Sequence, residues 1–174
     1  MKILKERKIL LKIILIVLIV AIDLLTKMLF KNIIARTGQV VIFDGLLEFI
    51  YVENTGASWG IFSSHALELA GLSIVFLLVI IAYDIIGSEK SKLYLASFIS
   101  IMGGGIGNLV DRLSFGYVRD FIGVANWFVC NVADIFVTVG VVMYLLFIIF
   151  EYKDKEKKHR SEERRVGKEC RSRW

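Results

Sequence analysis

The sequence predicts a mainly α-helical membrane protein, a four-transmembrane-helix bundle with a small antiparallel β-sheet cap on the extracytoplasmic side. The 174 residues are 56% hydrophobic and include no proline, and the mean hydropathy is +0.67. This composition is too apolar for an ordinary soluble domain. Four apolar stretches approach the roughly 18 to 20 residues that span a bilayer, and a segment rich in β-branched and aromatic residues follows the first of them.

The apolar stretches predict helices over about residues 9–30, 66–86, 93–110 and 132–150. The first has a basic start like a secretory signal, but it carries Asp23 and Lys27 and no small-residue cleavage site. We therefore interpret it as a retained helix.

The placement of lysine and arginine predicts the orientation. Residues 1–12 hold five of them, residues 84–92 hold two and residues 151–174 hold ten, so 17 of the 22 lie on one side of a four-pass chain. Because cytoplasmic loops are rich in these residues, we expect both termini in the cytoplasm. The two connections that carry most of the unusual polar residues then face outward.

The connection after the first helix predicts the sheet, over about residues 37–62. Its β-branched and aromatic residues are interrupted by turn signals at Gly38, at Asp44-Gly45 and at Asn54-Thr55-Gly56. We assign residues 1–152 to one integral membrane domain and residues 153–174 to a charged cytoplasmic tail. The last 14 residues are either a native solvated tail or a non-native addition, so they carry no fold or site argument.

Charged side chains near the hydrocarbon need a partner or a function, because each costs a few kcal/mol even on lenient insertion scales. Lys27 lies four residues after Asp23 on the same helix face, which predicts an ion pair. Asp111 directly precedes Arg112, and we expect it to neutralise that arginine. Asn108 lies four residues before Arg112, on the same face of the helix if the helix continues.

Two further aspartates lie in the second outward connection, Asp120 in YVRDFIG and Asp134 in CNVADIF. Asp134 lies three residues after Asn131 at the predicted start of the fourth helix, where a carboxylate also interacts favourably with the helix dipole. Two carboxylates that meet at low dielectric share one proton, as in an aspartic protease. Spacing alone does not decide which two aspartates meet.

The glycine run GGGIGN, residues 103–108, has two interpretations. Small residues let membrane helices approach closely, and a smooth backbone groove also admits a substrate helix, whose main chain Asn108 would hold. We expect the glycine run to serve both helix packing and substrate binding.

Several classes of function are disfavoured. The net charge of +5 comes without the basic and aromatic platform of a nucleic-acid binder. Cys130, Cys170, His65 and His159 form no metal-ligand spacing, and no serine has a supporting motif. We expect no metal and no cofactor. The alternative from another class is a small transporter or channel subunit with an intramembrane carboxylate pathway.

Five motifs can be compared together. They are the aspartate and lysine at Asp23 and Lys27, VENTGASWGIF at 52–62, GGGIGNLVDR at 103–112, VRDFI at 118–122 and NVAD at 131–134. In this order and spacing they resemble the bacterial lipoprotein signal peptidases, also called signal peptidase II. The resemblance covers about residues 9–150.

The resemblance implies an aspartic endopeptidase of the bacterial inner membrane, with its active site near the extracytoplasmic face. We expect the enzyme to be a monomer. Its partners would be membrane lipids and prolipoproteins, cut before a cysteine that carries diacylglycerol. The catalytic pair falls on Asp120 and Asp134. The positions that hold the substrate or support the site are Asp23, Lys27, Asn54, Gly104, Asn108, Arg112 and Asn131.

The sequence departs from the family pattern beside the predicted pair. The link between Asp120 and Asp134 is shorter than usual, and Val129 and Cys130 replace the proline and phenylalanine common before NVAD. A compressed loop over the site is the expectation.

Overall fold

The computed structural model describes residues 2–56, 65–86, 91–125 and 127–171. Within them lie four helices, α1 (Lys2–Thr37), α2 (Ala66–Ile86), α3 (Lys92–Phe115) and α4 (Val132–Arg171). By length and composition, each contains a stretch able to cross a membrane. The predicted class of four apolar helices with a small antiparallel sheet is confirmed.

Three helices are longer than the apolar runs that predicted them. α1 extends to residues 2 and 37, α3 continues to Phe115, and α4 continues through the charged segment that follows residue 150. Apolar runs mark the part of a helix that fits the bilayer, whereas Lys, Glu and Arg are good helix formers outside it. α3 ends only at Gly116, whose φ of 76° closes the helix by a bond from its N–H to the carbonyl of Arg112.

α3 is the central helix, and α1, α2 and α4 pack around it. Its buried face presents Tyr94, Phe98 and Met102 to Ile19 of α1 and Leu77 of α2. The outward faces of the other helices expose large apolar side chains, as expected for surfaces in contact with lipid.

The glycines of α3 allow its neighbours to come this close. A Cβ placed on Gly103 would lie 2.7 Å from the Cβ of Ile19, and one on Gly107 would lie 2.6 Å from Oδ2 of Asp23. The packing interpretation of the glycine run therefore holds for this face, since small residues let the backbones approach.

The described strands form one antiparallel sheet in the order β1 (Val40–Phe43), β2 (Leu47–Asn54), β3 (Val118–Val124) and β4 (Phe128–Cys130). The register pairs Asn54 with Val118 and Val52 with Asp120, and it pairs Ile122 with Cys130. The sheet therefore joins the connection between α1 and α2 to the connection between α3 and α4 at the candidate site.

The segment between Asp120 and Asp134 contains a hairpin of β3 and β4, where we expected a compressed loop. β3 is largely buried on both of its faces, since the adjacent residues Arg119 and Asp120 are both buried. Such a strand lacks the polar and apolar alternation that identifies a half-buried strand. In the predicted insert, strand structure ends at Asn54, and residues 57–62 lie outside the described residues.

Gly104 gives a test of the packing. A Cβ there would collide with the carbonyl oxygen of Ala133 and lie 2.8 Å from Cγ2 of Val137. We expect Gly104→Ala to destabilise the bundle by about 1–3 kcal/mol, measured by thermal unfolding in detergent. Gly71→Ala is the matched control, because a Cβ at Gly71 meets nothing within 4 Å. An unchanged melting temperature for Gly104→Ala would contradict this packing.

Candidate active site

Asp120 and Asp134 line one cavity of about 760 Å³ between the sheet and α4. Asp120 lies on β3 and is buried, and Asp134 is half-buried in the first turn of α4. Asn131 connects them: its Nδ2 donates to Oδ1 of Asp120 at 2.6 Å, and its Oδ1 accepts from the backbone N–H of Asp134 at 2.9 Å. The two aspartates that the motifs selected therefore face a common space.

The start of α4 places Asp134 by a reciprocal cap. Asn131 is the residue before the helix, and its side chain accepts the N–H of Asp134. Oδ2 of Asp134 in turn accepts the N–H of Asn131 at 3.2 Å. This is the geometry of a capping box, in which residues three apart satisfy each other's free backbone donors. The predicted proximity of Asn131 and Asp134 is confirmed, and one carboxylate serves both the helix end and the cavity.

Asn108 holds the other side of Asp134. Nζ of Lys27 and Nδ2 of Asn131 both donate to Oδ1 of Asn108, at 3.0 and 3.1 Å. Because both donors occupy the oxygen end of the amide, Nδ2 of Asn108 points to Asp134 and donates to Oδ1 at 2.7 Å. Lys27 thus orients Asn108, and Asn108 positions Asp134.

Asn54 holds Asp120 in the same manner from β2. Its Oδ1 accepts the N–H of Gly56 at 3.0 Å, and its Nδ2 donates to Oδ2 of Asp120 at 2.9 Å. Each oxygen of Asp120 therefore accepts one asparagine donor, the other being Asn131.

The predicted ion pair of α1 is confirmed, with Nζ of Lys27 2.7 Å from Oδ2 of Asp23 and both side chains fully buried. Asp23 has a second contact that the sequence did not predict. Its Oδ1 accepts the N–H of Ala133 at 2.9 Å. A free N–H at the start of α4 is thereby satisfied by α1, so this pair fixes the helix that carries Asp134.

The expected partner of Asp111 is corrected. Oδ1 of Asp111 lies 2.6 Å from Nη2 of Arg119, and Oδ2 lies 3.2 Å from Nζ of Lys27. Oδ2 also accepts the backbone N–H of Arg119 at 3.0 Å. Arg112 was the wrong choice because successive residues on a helix point in different directions. Sequence analysis missed Arg119, although its position beside Asp120 in VRDFI was a signal.

Arg112 instead faces the cavity that holds both candidate carboxylates. Its Nη2 donates to the carbonyl oxygen of Gly56 at 3.3 Å. Its Nε is buried and has no hydrogen-bond partner within the described part of the chain.

Gly104 lines none of the cavities described for this site. Its contacts with α4 make it a packing residue that supports the site.

Burial, and then the negative charge of Asp134, raise the pKa of Asp120 to about 6. The donors on Asn54 and Asn131 act in the opposite direction, because they favour the ionised carboxylate. Burial also raises the pKa of the Cys130 thiol in the cavity wall to about 11, so this thiol stays protonated at neutral pH.

Comparison with solved structures supports the class of membrane enzyme. One structure described as a bacterial membrane enzyme superposes with a TM-score of 0.73 at 25% identity, covering 83% of this chain and 90% of that one. A second with the same description gives a TM-score of 0.67 at 26% identity, covering 79% and 91%.

Comparison of sequences gives the family. The family described as Signal peptidase (SPase) II matches residues 15–150, so the chain belongs to this peptidase family. It is 35% identical to the lipoprotein signal peptidase of Clostridium acetobutylicum over 144 residues, 80% of this chain and 94% of the relative. It is 33% identical to that of Clostridium tetani over 152 residues, 83% and 97% of the two chains. The resemblance seen in the motifs is confirmed.

The buried pairing of Asp111 predicts a large effect on stability. We expect Asp111→Asn to cost about 3–5 kcal/mol, because it removes the buried counter-charge of Arg119 and leaves Lys27 with Asp23 alone. The measurement is thermal unfolding in detergent.

Asp44→Asn, on the exposed turn between β1 and β2, is the control and should shift stability by less than about 0.5 kcal/mol. Adding Arg119→Gln to Asp111→Asn should recover part of the loss. A double variant less stable than the single variant would contradict the pairing.

Proposed function

We propose that this chain is a membrane aspartic endopeptidase that removes signal peptides from bacterial prolipoproteins, cutting before the diacylglyceryl-modified cysteine. Membership of the signal peptidase II family supports the substrate and disfavours the transporter or channel alternative. The aspartic type rests on one observation, the cavity in which Asn131 connects Asp120 to Asp134.

The charges around the cavity support a shared proton. The described residues there provide four carboxylates and three cations, namely Asp23, Asp111, Asp120 and Asp134 against Lys27, Arg112 and Arg119. Fully ionised, this group carries one excess negative charge. Isolated charge is costly where water is scarce, so one proton held between Asp120 and Asp134 makes the group neutral.

The environments of the two aspartates assign their roles. Asp134 accepts donors from Asn108 and from the backbone of Asn131 at the positive end of α4, and such donors stabilise a carboxylate charge. Asp120 is only 2% exposed and has the raised pKa. We therefore assign the role of general base to Asp134 and the role of hydrogen-bond donor, which carries the shared proton, to Asp120.

The reaction follows from these roles. Asp134 takes a proton from a water molecule, whose oxygen attacks the scissile carbonyl carbon, while protonated Asp120 donates a hydrogen bond to the carbonyl oxygen. The resulting tetrahedral intermediate collapses with cleavage of the C–N bond. The proton held by Asp134 passes to the leaving amine of the modified cysteine, and the new carboxyl group ends the signal peptide.

Arg112 and the asparagines hold the substrate and the pair in position. The guanidinium of Arg112 has a buried N–H donor, and a substrate carbonyl oxygen can accept a hydrogen bond from it. Asn54, Asn108 and Asn131 keep their donors on the carboxylates, which reduces the reorganisation needed during reaction.

We further propose that both termini are cytoplasmic, so that the sheet and the cavity face the extracytoplasmic side. The distribution of lysine and arginine supports this orientation. We also propose a monomer, because one chain supplies both Asp120 and Asp134 to one cavity, so the pair needs no residue from a second copy. A lipid-bearing substrate keeps its acyl chains in the bilayer, and the apolar wall of the cavity formed by Ile135 and Val139 of α4 lies on that side.

Substitution of the pair tests the aspartic type. We expect Asp120→Asn and Asp134→Asn each to lower cleavage of a diacylglyceryl-modified precursor by about 10²–10⁴-fold, since Asp134 takes the proton from water and Asp120 supplies the protonated carboxyl that binds the carbonyl oxygen. Insertion and thermal stability of the variants are measured alongside. Asp44→Asn serves as the matched control. Near-normal turnover in either variant would refute the pair.

The pH dependence tests the assigned roles. Asp120 has a raised pKa, so it keeps its proton up to about pH 6 and loses it above. Because the reaction needs that proton, kcat/KM should fall as pH rises through about 6. Asn54→Ala removes a donor that favours the ionised form, so it should move this decrease to higher pH.

Glu53→Gln, the exposed neighbour on β2, is the control and should leave the position of the decrease unchanged. A decrease that moves to lower pH in Asn54→Ala would contradict the assignment of the proton to Asp120.

A further inference from the structure

Arg119 is a buried arginine directly beside Asp120 on β3, and the proposed reaction gives it no direct part. Only 6% of its surface is exposed. It lines neither the cavity of the aspartate pair nor the two smaller cavities that adjoin it. Successive side chains of a strand point to opposite faces. Asp120 therefore faces the cavity, whereas Arg119 faces away from it, towards the end of α3.

Arg119 binds Asp111 of α3 through both its side chain and its backbone. Its Nη2 and Nε lie 2.6 and 3.2 Å from Oδ1 of Asp111. Its backbone N–H donates to Oδ2 at 3.0 Å. The guanidinium carbon also lies 4.7 Å from the centre of the Phe115 ring, a distance at which a cation and an aromatic face attract each other. The guanidinium is therefore fixed, and it fixes the orientation of the Asp111 carboxylate.

The orientation of Asp111 determines how it meets Lys27. Because Oδ1 is bound to the guanidinium, Oδ2 faces Nζ of Lys27 at 3.2 Å. An ammonium group has three N–H donors, and those of Lys27 have acceptors on Asp23, Asp111 and Asn108. Asn108 in turn donates to Asp134. A continuous chain of contacts thus runs from the guanidinium to the proposed general base.

We propose that Arg119 is a positioning residue of the peptidase reaction. By neutralising Asp111, it leaves Lys27 in place on Asn108 and limits the aspartate pair to one shared proton. This assignment rests on the proposed function. It gives a role in the reaction to a side chain that lies outside the cavity.

The charge balance gives the direction of the effect. With Arg119, the four carboxylates and three cations around the cavity become neutral when the pair holds one proton. Without Arg119, two cations remain, and Asp111 keeps only Lys27 among the described cations. Uncompensated negative charge raises the pKa of neighbouring carboxyl groups. The pair should then keep its shared proton to higher pH.

Other titratable groups around β3 leave this balance unchanged. Burial raises the pKa of Tyr51, and a hydrogen bond to Glu53 raises the pKa of Tyr117 to about 12, so both phenols are neutral near neutral pH. Lys31 and Glu53 are exposed, and water and salt screen their charges. In addition to the seven charged residues already counted, these groups are Lys31 of α1, Glu48, Tyr51 and Glu53 of β2, Tyr117 of β3 and Cys130 of β4.

The pH dependence of cleavage tests this role. Full-length enzyme in detergent cleaves a diacylglyceryl-modified precursor, and kcat and KM are measured across the pH range. Arg119→Gln removes a cation, so the decrease of kcat/KM should move upward by about 1 pH unit. Asp111→Asn removes a negative charge, so the decrease should move to lower pH.

The double variant of Asp111→Asn and Arg119→Gln restores the charge balance although it lacks the ion pair. Its decrease should therefore return to the wild-type pH. A purely structural role would not make the position of the decrease follow net charge. Lys31→Gln is the matched control, because Lys31 lies four residues after Lys27 on α1 but is exposed. It should leave the decrease where it is.

Arg119→Lys separates the charge from the geometry, and it decides the question if Arg119→Gln does not fold. Lysine keeps the positive charge but lacks the planar fork that fixes a carboxylate. The decrease should stay at the wild-type pH. At the same time kcat should fall by roughly tenfold with KM unchanged, because the general base is less well positioned. The melting temperature of each variant is measured in parallel.

The outcomes distinguish this role from a structural one. Opposite shifts in the two single variants, together with the wild-type position in the double variant, support it. An unmoved decrease in Arg119→Gln, a double variant that shifts as far as a single variant, or a wild-type kcat in Arg119→Lys overturns this role alone. A wild-type enzyme that cuts no modified precursor overturns the proposed function and this role together.

Discussion

The ion pairs around Lys27 are the interaction on which the rest of the structure depends. Nζ of Lys27 contacts Asp23 of its own helix and Asp111 and Asn108 of α3. These contacts join α1 to α3, and Asp23 then binds the start of α4. Charged groups in a bilayer must find counter-charges within the protein. The need to neutralise Lys27 therefore holds the helices in the arrangement that forms the candidate active site.

Three asparagines hold the aspartate pair in position by hydrogen bonds. Asn54, Asn108 and Asn131 each accept a donor at the amide oxygen and donate from the amide nitrogen to Asp120 or Asp134. An amide whose oxygen is already bonded has one orientation available. The carboxylates are thus held by oriented donors before any substrate binds, which is the preorganisation that lowers the cost of proton transfer.

The apolar runs predicted the four helices, because about 20 apolar residues have few other stable arrangements in a bilayer. Spacing along one helix also predicted the pair of Asp23 and Lys27, since residues four apart share a face. The hairpin of β3 and β4 was missed because β3 buries both faces and shows no alternation. The partner of Asp111 was missed because Arg119 reaches it from another element.

The sequence by itself determined the membrane class, the order of the helices, the family motifs and the choice of Asp120 and Asp134 as a candidate pair. The membrane class and the helices depend on composition and periodicity, and the choice of the pair follows from the resemblance of the motifs to the family. Only the tertiary structure decided that Asp23 caps α4 and that Arg119 pairs with Asp111. Such contacts join residues far apart in the chain, and no local pattern specifies which distant side chains meet.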